Sequence, residues 1–330
     1  MATNEYDVLG IGNAIVDIIG RCKPEFLVSN NLAKGHMTLV DADAVSRLYK
    51  SMGPAVEISG GSAANTMVGI ASLGGKAAFI GKVAEDDFGT VFAHDIRSAG
   101  VAFNSSASAG GEPTARSLIL VTPDGERTMN TFLGVSPELS PRDVDQKLVA
   151  ASRILYLEGY LFDRPDAQAA FRHAADLAEA AGREVALTLS DGFCVERHRL
   201  EFLELIRDKV DILFANEAEI TALYKTNSFE EASRHAKEDA SIAVLTRSAK
   251  GSVIFRGDKA ASVPAAPVRQ VVDTTGAGDL YAAGFLYGYA AGKQLDICGH
   301  IGSLAAAEVI SHLGARPETS LAGLVAARGL

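Results

Sequence analysis

The chain has 330 residues, 48% hydrophobic and 22% charged, enough to bury one large core or a large core beside a small one. A formal charge of −10 excludes a nucleic-acid or anionic-membrane surface as the main partner, so phosphate binding is expected to be local and made by backbone. Three cysteines (Cys22, Cys194, Cys298) without paired spacing exclude a disulfide framework or a Cys-based zinc site.

The first residues, Met-Ala-Thr-Asn-Glu-Tyr-Asp, lack a basic region followed by an apolar one, and no apolar run reaches the roughly 18 residues of a membrane span; a cytoplasmic location is expected. The seven histidines are scattered, with no pair at metal-ligand spacing.

Asp7 to Asn13 reads as a buried strand ending in a glycine turn. Gly10-x-Gly12 is no dinucleotide fingerprint, because Ile15 stands where the third glycine belongs. Just beyond, Asn13 and Asp17 are short polar groups suited to a pair of vicinal hydroxyls; an Asx turn and a solvated acid fit the same spacing. Met37 to Val40 predicts a short strand, and a polar helix with Asp41 near its start follows. In Ser59-Gly60-Gly61-Ser62-Ala63-Ala64-Asn65 a double glycine opens backbone ahead of a helix, and Asn65 carries both donor and acceptor for a hydroxyl. Gly69 to Lys76 resembles a phosphate loop but is out of register, with Ala77 in place of Ser or Thr.

Residues 103–113 are a polar, Gly/Ser-rich surface loop, and Leu118–Val121 with Arg127–Phe132 flank a hairpin signal, Thr122-Pro-Asp-Gly-Glu126. From Ile154 onward strands (154–157, 185–189, 211–215, 242–246) alternate with helices (165–181, near 196–207, from 216). That cadence predicts a mostly parallel sheet covered on both faces, with ligands at the strands' C-terminal edge. Asn216-x-x-Glu219 fits a capping box on that edge. Ser303 to Gly314 predicts a helix of small residues.

The stretch from Val271 to Phe285 reads as strand, tight turn and helix start, with Gly276-Ala277-Gly278 at the turn. Bare amides and the positive end of the helix dipole would hold an anion there. A carboxylate in such a cradle repels the anion unless it serves as a proton acceptor, so Asp279 reads as a general base; an acid favoured by the dipole is the plainer alternative.

Asp273, Thr274, Gly276, Gly278, Asp279, Ala283 and Gly284 match the second signature of the ribokinase-like (PfkB) kinases, and Gly74 to Gly89 the first; the chain resembles that family over nearly its whole length. The resemblance implies one ribokinase-like three-layer α/β/α domain over 1–330, with a small β lid formed by segments near 14–40 and 100–134. It implies ATP with Mg²⁺, Asp17 gripping sugar hydroxyls beside Asn13, Gly60, Gly61, Ser62 and Asn65, and Arg127 (Arg116 as a second candidate) reaching the transferring phosphate. It further implies Asn216 and Glu219 near Mg²⁺ through water, and Thr246, Arg247 and Gly251 on the nucleotide. Ala305 would lie at the adenine, and Asp273 at a monovalent cation such as K⁺.

The matching pieces are similar to adenosine-kinase-like members: Gly12 to Asp17, Asp124 to Arg127, Leu187 to Ser190 with Phe193, and Phe214 to Glu217. The acceptor expected is a ribonucleoside, adenosine first, with Met37, Tyr160, Leu161 and Phe193 walling the base slot; a ribose or other furanose kinase is the alternative. A non-catalytic nucleotide- or sugar-binding regulator is the reading from another class; the intact Asp279 cradle opposes it.

Overall fold

The computed structural model describes residues 5–330; the reading of Met1–Asn4 as leaderless lies outside them. Among the described residues there are fourteen strands: β1 Tyr6–Ile11, β2 Ile15–Arg21, β3 Met37–Leu39, β4 Ala55–Gly60, β5 Ala77–Ile80, β6 Val101–Phe103, β7 Ala115–Val121, β8 Arg127–Phe132, β9 Ser152–Glu158, β10 Glu184–Thr188, β11 Ile212–Asn216, β12 Ile242–Thr246, β13 Ser252–Arg256 and β14 Lys259–Val263. Nine form one sheet in the order β14-β13-β12-β11-β10-β9-β1-β5-β6, parallel from β12 to β6 and antiparallel at β13 and β14.

Parallel strands buried on both faces need apolar side chains on both, and here one core forms on each side. Val8, Tyr156, Ala186, Ile212 and Val244 pack with the helices Ser62–Ser72, Ala277–Ala290 and Leu295–Val309. Leu9, Ile11, Leu155, Leu157, Leu187 and Leu213 pack with Pro165–Ala180 and Arg199–Lys209. The result is the expected ribokinase-like three-layer α/β/α arrangement.

A second, five-stranded sheet has the order β3-β8-β7-β2-β4, with β7 and β8 as the expected hairpin. It draws on 55–60 as well as on the two predicted segments, whereas β6 joins the large sheet. Val16, Ile18, Leu118, Leu120 and Phe132 of its inner face join the core of the large sheet, together with Val45 and Leu48 of the helix Ala42–Ser51.

The strand expected at Val271–Val272 is absent. Val272 N–H donates to Ile310 O at 2.8 Å, but no strand lies alongside and both side chains are exposed, so β-branching alone does not make a ladder. The small-residue helix starts at Leu295, earlier than Ser303. The three cysteines are free, and no helix among the described residues is long and apolar enough to cross a membrane.

Candidate active site

β1 ends at Ile11, β2 starts at Ile15 in the second sheet, and β4 delivers the chain back through Gly60-Gly61 into the helix Ser62–Ser72. These turns meet the start of the helix Ala277–Ala290. Gly276 caps that helix at φ 77°, a left-handed conformation that glycine adopts without penalty. Among the described residues nothing accepts from the amides of Gly276, Gly278 or Asp279, and a Cβ built on Gly278 meets nothing within 4 Å. Ala277 departs from expectation: its N–H donates to Thr274 O at 3.2 Å, closing the turn, so the open cradle is one amide smaller.

Asp279 is half-buried, accepting from Ser62 Oγ at 2.6 Å and Asn65 Nδ2 at 3.0 Å. Burial raises its pKa; the two hydrogen bonds and then the charge of Arg316 oppose the shift. Asn65 Oδ1 is buried without a partner. Asp17 sits beside Gly60, where a Cβ would stand 2.2 Å from its carboxylate, and accepts no hydrogen bond among the described residues. Burial pushes Asp17 up to about 6, against the charges of Arg316 and Arg127 and with help from Asp279.

Two residues that sequence reasoning passed over complete the floor. Glu158, at the end of β9, accepts from Asn13 Nδ2 at 2.8 Å, Asn13 N at 3.3 Å and Ala63 N at 2.7 Å; burial pushes it up to about 7. A lone carboxylate closing the apolar run Ile154–Leu157 was the signal for it. Arg316 donates to Ser59 O, Ser59 Oγ and Ala64 O, and nothing in its spacing marks it.

Several expected contacts are corrected. Asn13 donates from Nδ2 to Glu158 and accepts at Oδ1 from Ser136 Oγ at 2.9 Å, so both ends are already engaged. Leu161 is 1% exposed in the core, which leaves Tyr160 (42%) and Phe193 (73%) open, with Met37 exposed on β3. Arg116 lies 4.7 Å over Phe88 on the sheet's inner face, away from Asp17.

Asp273 ion-pairs with Arg127 and accepts from Thr275 N at 3.0 Å and Gly314 N at 2.9 Å; these residues do not fit a K⁺ site. Glu219 is buried in a complete capping box with Asn216, so the cap holds the carboxylate expected near the metal. Burial pushes it up to about 7. Arg247 pairs with Glu217 at 3.0 Å and lies 3.8 Å over Phe229. Gly251 (φ 82°) is needed where a Cβ would meet Val263 O at 2.1 Å, and Thr246 ends β12 partly exposed. Ala305 is buried in the core.

Open amides at a helix start fit a phosphoryl group. For Mg²⁺ the donor set is sparse, since no group of three or more His, Cys, Asp or Glu side chains is placed to hold a metal ion among the described residues. That fits an ion carried mainly by nucleotide phosphates and water.

Residues 36–321 match the pfkB family of carbohydrate kinases. The chain belongs to that family. It is thus an ATP-dependent sugar or nucleoside phosphotransferase. A solved adenosine kinase from Sinorhizobium meliloti is 56% identical, covers 98% of this chain and 99% of its own, and superimposes with a TM-score of 0.90. A probable sugar kinase from Rhizobium etli is 51% identical over 99% of both chains, with a TM-score of 0.91. A probable fructokinase-6 from Arabidopsis thaliana is 30% identical over 80% of this chain and 68% of its own.

Proposed function

We propose that this protein transfers the γ-phosphoryl group of ATP to the 5′-hydroxyl of a ribonucleoside, with adenosine as acceptor. The observation that carries the chemistry is Asp279, a half-buried carboxylate whose own N–H and that of Gly278 lack protein acceptors. Its raised pKa makes it a stronger proton acceptor than an ordinary carboxylate. Ser62 and Asn65 aim it, the open amides meet charge on the phosphoryl oxygens, and Arg127 Nε, buried without a partner, adds a donor. Bound ATP·Mg²⁺ supplies the phosphoryl group and screens its charge. Asp17, free of protein partners, accepts from the ribose hydroxyls, and the second sheet acts as the lid.

Adenosine rests on the 56% identical adenosine kinase and on Tyr160 and Phe193 as open aromatic faces. The buried Leu161 favours a second reading, a ribose or other furanose kinase, because it removes one wall of the base slot. ADP release from ATP with adenosine, guanosine, cytidine, ribose and fructose decides between them. Adenosine should give the highest kcat/KM; a sugar in first place overturns the nucleoside, and no acceptor-dependent release overturns the transfer.

A further inference from the structure

One short segment touches both halves of the site. Gly314 N–H donates to Asp273 Oδ2 at 2.9 Å, and Ala315 packs on Gly276, where an added Cβ would stand 2.8 Å from the Ala315 Cβ. The next residue, Arg316, reaches the turn that opens the helix Ser62–Ser72. Its Nε donates to Ser59 O at 3.0 Å, Nη1 to Ala64 O at 3.2 Å and Nη2 to Ser59 Oγ at 2.9 Å. Residues 314–316 therefore brace the phosphoryl cradle with backbone and the facing turn with a side chain.

Ser59 and Ala64 are the two ends of one hexapeptide, Ser59-Gly60-Gly61-Ser62-Ala63-Ala64. Between them the turn meets three site residues. Gly60 backs onto the Asp17 carboxylate, Gly61 (φ 100°) stands where a Cβ would come within 2.1 Å of Asn13 O, and Ser62 Oγ donates to Asp279 Oδ1 at 2.6 Å. Adjacent glycines leave such a turn free to change shape, so its geometry has to be imposed from outside. Ser59 N and Oγ donate to Asp95 Oδ2 at 2.8 and 2.6 Å, and Ala63 N donates to Glu158 Oε2 at 2.7 Å. Each of those carboxylates holds one end. Arg316 holds both, through a planar fork that fixes direction as well as distance.

We propose that Arg316 is a positioning residue: by tying both ends of Ser59–Ala64 to the segment packed on Gly276, it sets the hydroxyl grip at a fixed distance from the phosphoryl cradle. This rests on the reading of the site as one of phosphoryl transfer. Attack needs the reacting atoms about 3 to 3.5 Å apart, and an error of about 1 Å costs on the order of 10²-fold in rate. The cradle itself does not need the guanidinium, because the Gly314 N–H bond to Asp273 and the contact of Ala315 with Gly276 are made by other atoms. Loss of the side chain thus moves the grip and leaves the nucleotide end in place.

The test varies ATP·Mg²⁺ and the phosphoryl acceptor separately in Arg316→Ala, using whichever of adenosine, guanosine, cytidine, ribose and fructose the parent prefers. The acceptor kcat/KM should fall by about thirtyfold or more, with the ATP KM within about twofold of the parent. Guanidinium chloride at millimolar, non-denaturing concentration should restore turnover several-fold and saturably, and sodium chloride at equal ionic strength should not. A general loss of packing would affect both substrates alike and would not respond to so small an ion. Arg316→Lys keeps a cation at the site, so it decides the question if Arg316→Ala does not fold. One ammonium does not reproduce the fork, and its acceptor kcat/KM should stay at least about fivefold below the parent with the ATP KM unchanged. An ATP KM that rises with the acceptor KM, an absence of guanidinium rescue, or a fully active Arg316→Lys overturns the role. If the parent phosphorylates no acceptor, the transfer reading falls first and takes this inference with it.

Discussion

Arg127 and Asp273 form an ion pair between the second sheet and the turn ahead of the helix Ala277–Ala290, with side chains only 8% and 5% exposed. Two backbone amides already satisfy the carboxylate, so the guanidinium is the partner that can be drawn away, and its buried Nε has no acceptor. Breaking a buried pair from one side leaves a charge uncompensated. Arg127→Met should therefore cost about 3 kcal/mol in denaturant unfolding and cut kcat at least about tenfold. Adding Asp273→Asn, which removes the charge and keeps an oxygen for the backbone amides, should restore much of the stability and none of the turnover. Recovery of both would make the pair purely structural.

Gly60 is a gauge of Asp17. Its backbone is not in the left-handed region, so alanine is tolerated there, but the added methyl would stand 2.2 Å from the Asp17 carboxylate. Gly60→Ala should raise the acceptor KM by about tenfold or more with the nucleotide KM unchanged, matching Asp17→Ala, because only the hydroxyl grip is lost. Steady-state kinetics with each substrate varied in turn check it. An acceptor KM unaffected in both variants removes Asp17 from the substrate.

Glu158 and Glu219 set a pH dependence of stability. Burial raises each from 4.5 to about 7, so the folded state holds their protons more tightly than the unfolded chain does. Stability from this source is full below pH 4.5 and is lost as pH rises through about 7, on the order of 3 kcal/mol per group. Urea midpoints at pH 5 and pH 8 should show the fall, and Glu158→Gln should reduce it. A midpoint that rises over this range contradicts both assignments.

What was legible in the chain follows from where each residue's partners lie. Strands such as Ile212–Asn216 and Ile242–Thr246 sit inside a parallel sheet, so they read directly as apolar runs. Gly276 to Asp279 was readable because turn, cap and acid lie within four residues. Val271–Val272 misled because a strand needs a neighbour that no local pattern reveals. Leu161 misled because a one-residue change of phase separates a wall from the core. Glu158 and Arg316 have no local signal of their own function, since their contacts reach 95 and 257 residues along the chain to Ala63 and Ser59.

Asp279→Asn tests the chemical step. Ser62 Oγ can still donate to the amide oxygen, so the helix start keeps its shape, but the proton acceptor is gone. Turnover should fall by roughly 10² to 10⁴ while nucleotide affinity stays nearly constant, because the open amides of Gly276 and Gly278 are untouched. Rapid-quench turnover beside equilibrium titration of a nucleotide separates the two effects. A variant that binds nucleotide normally and turns over normally would leave Asp279 as a helix-start acid stabilised by the dipole, and the acceptor hydroxyl would then lose its proton to another group.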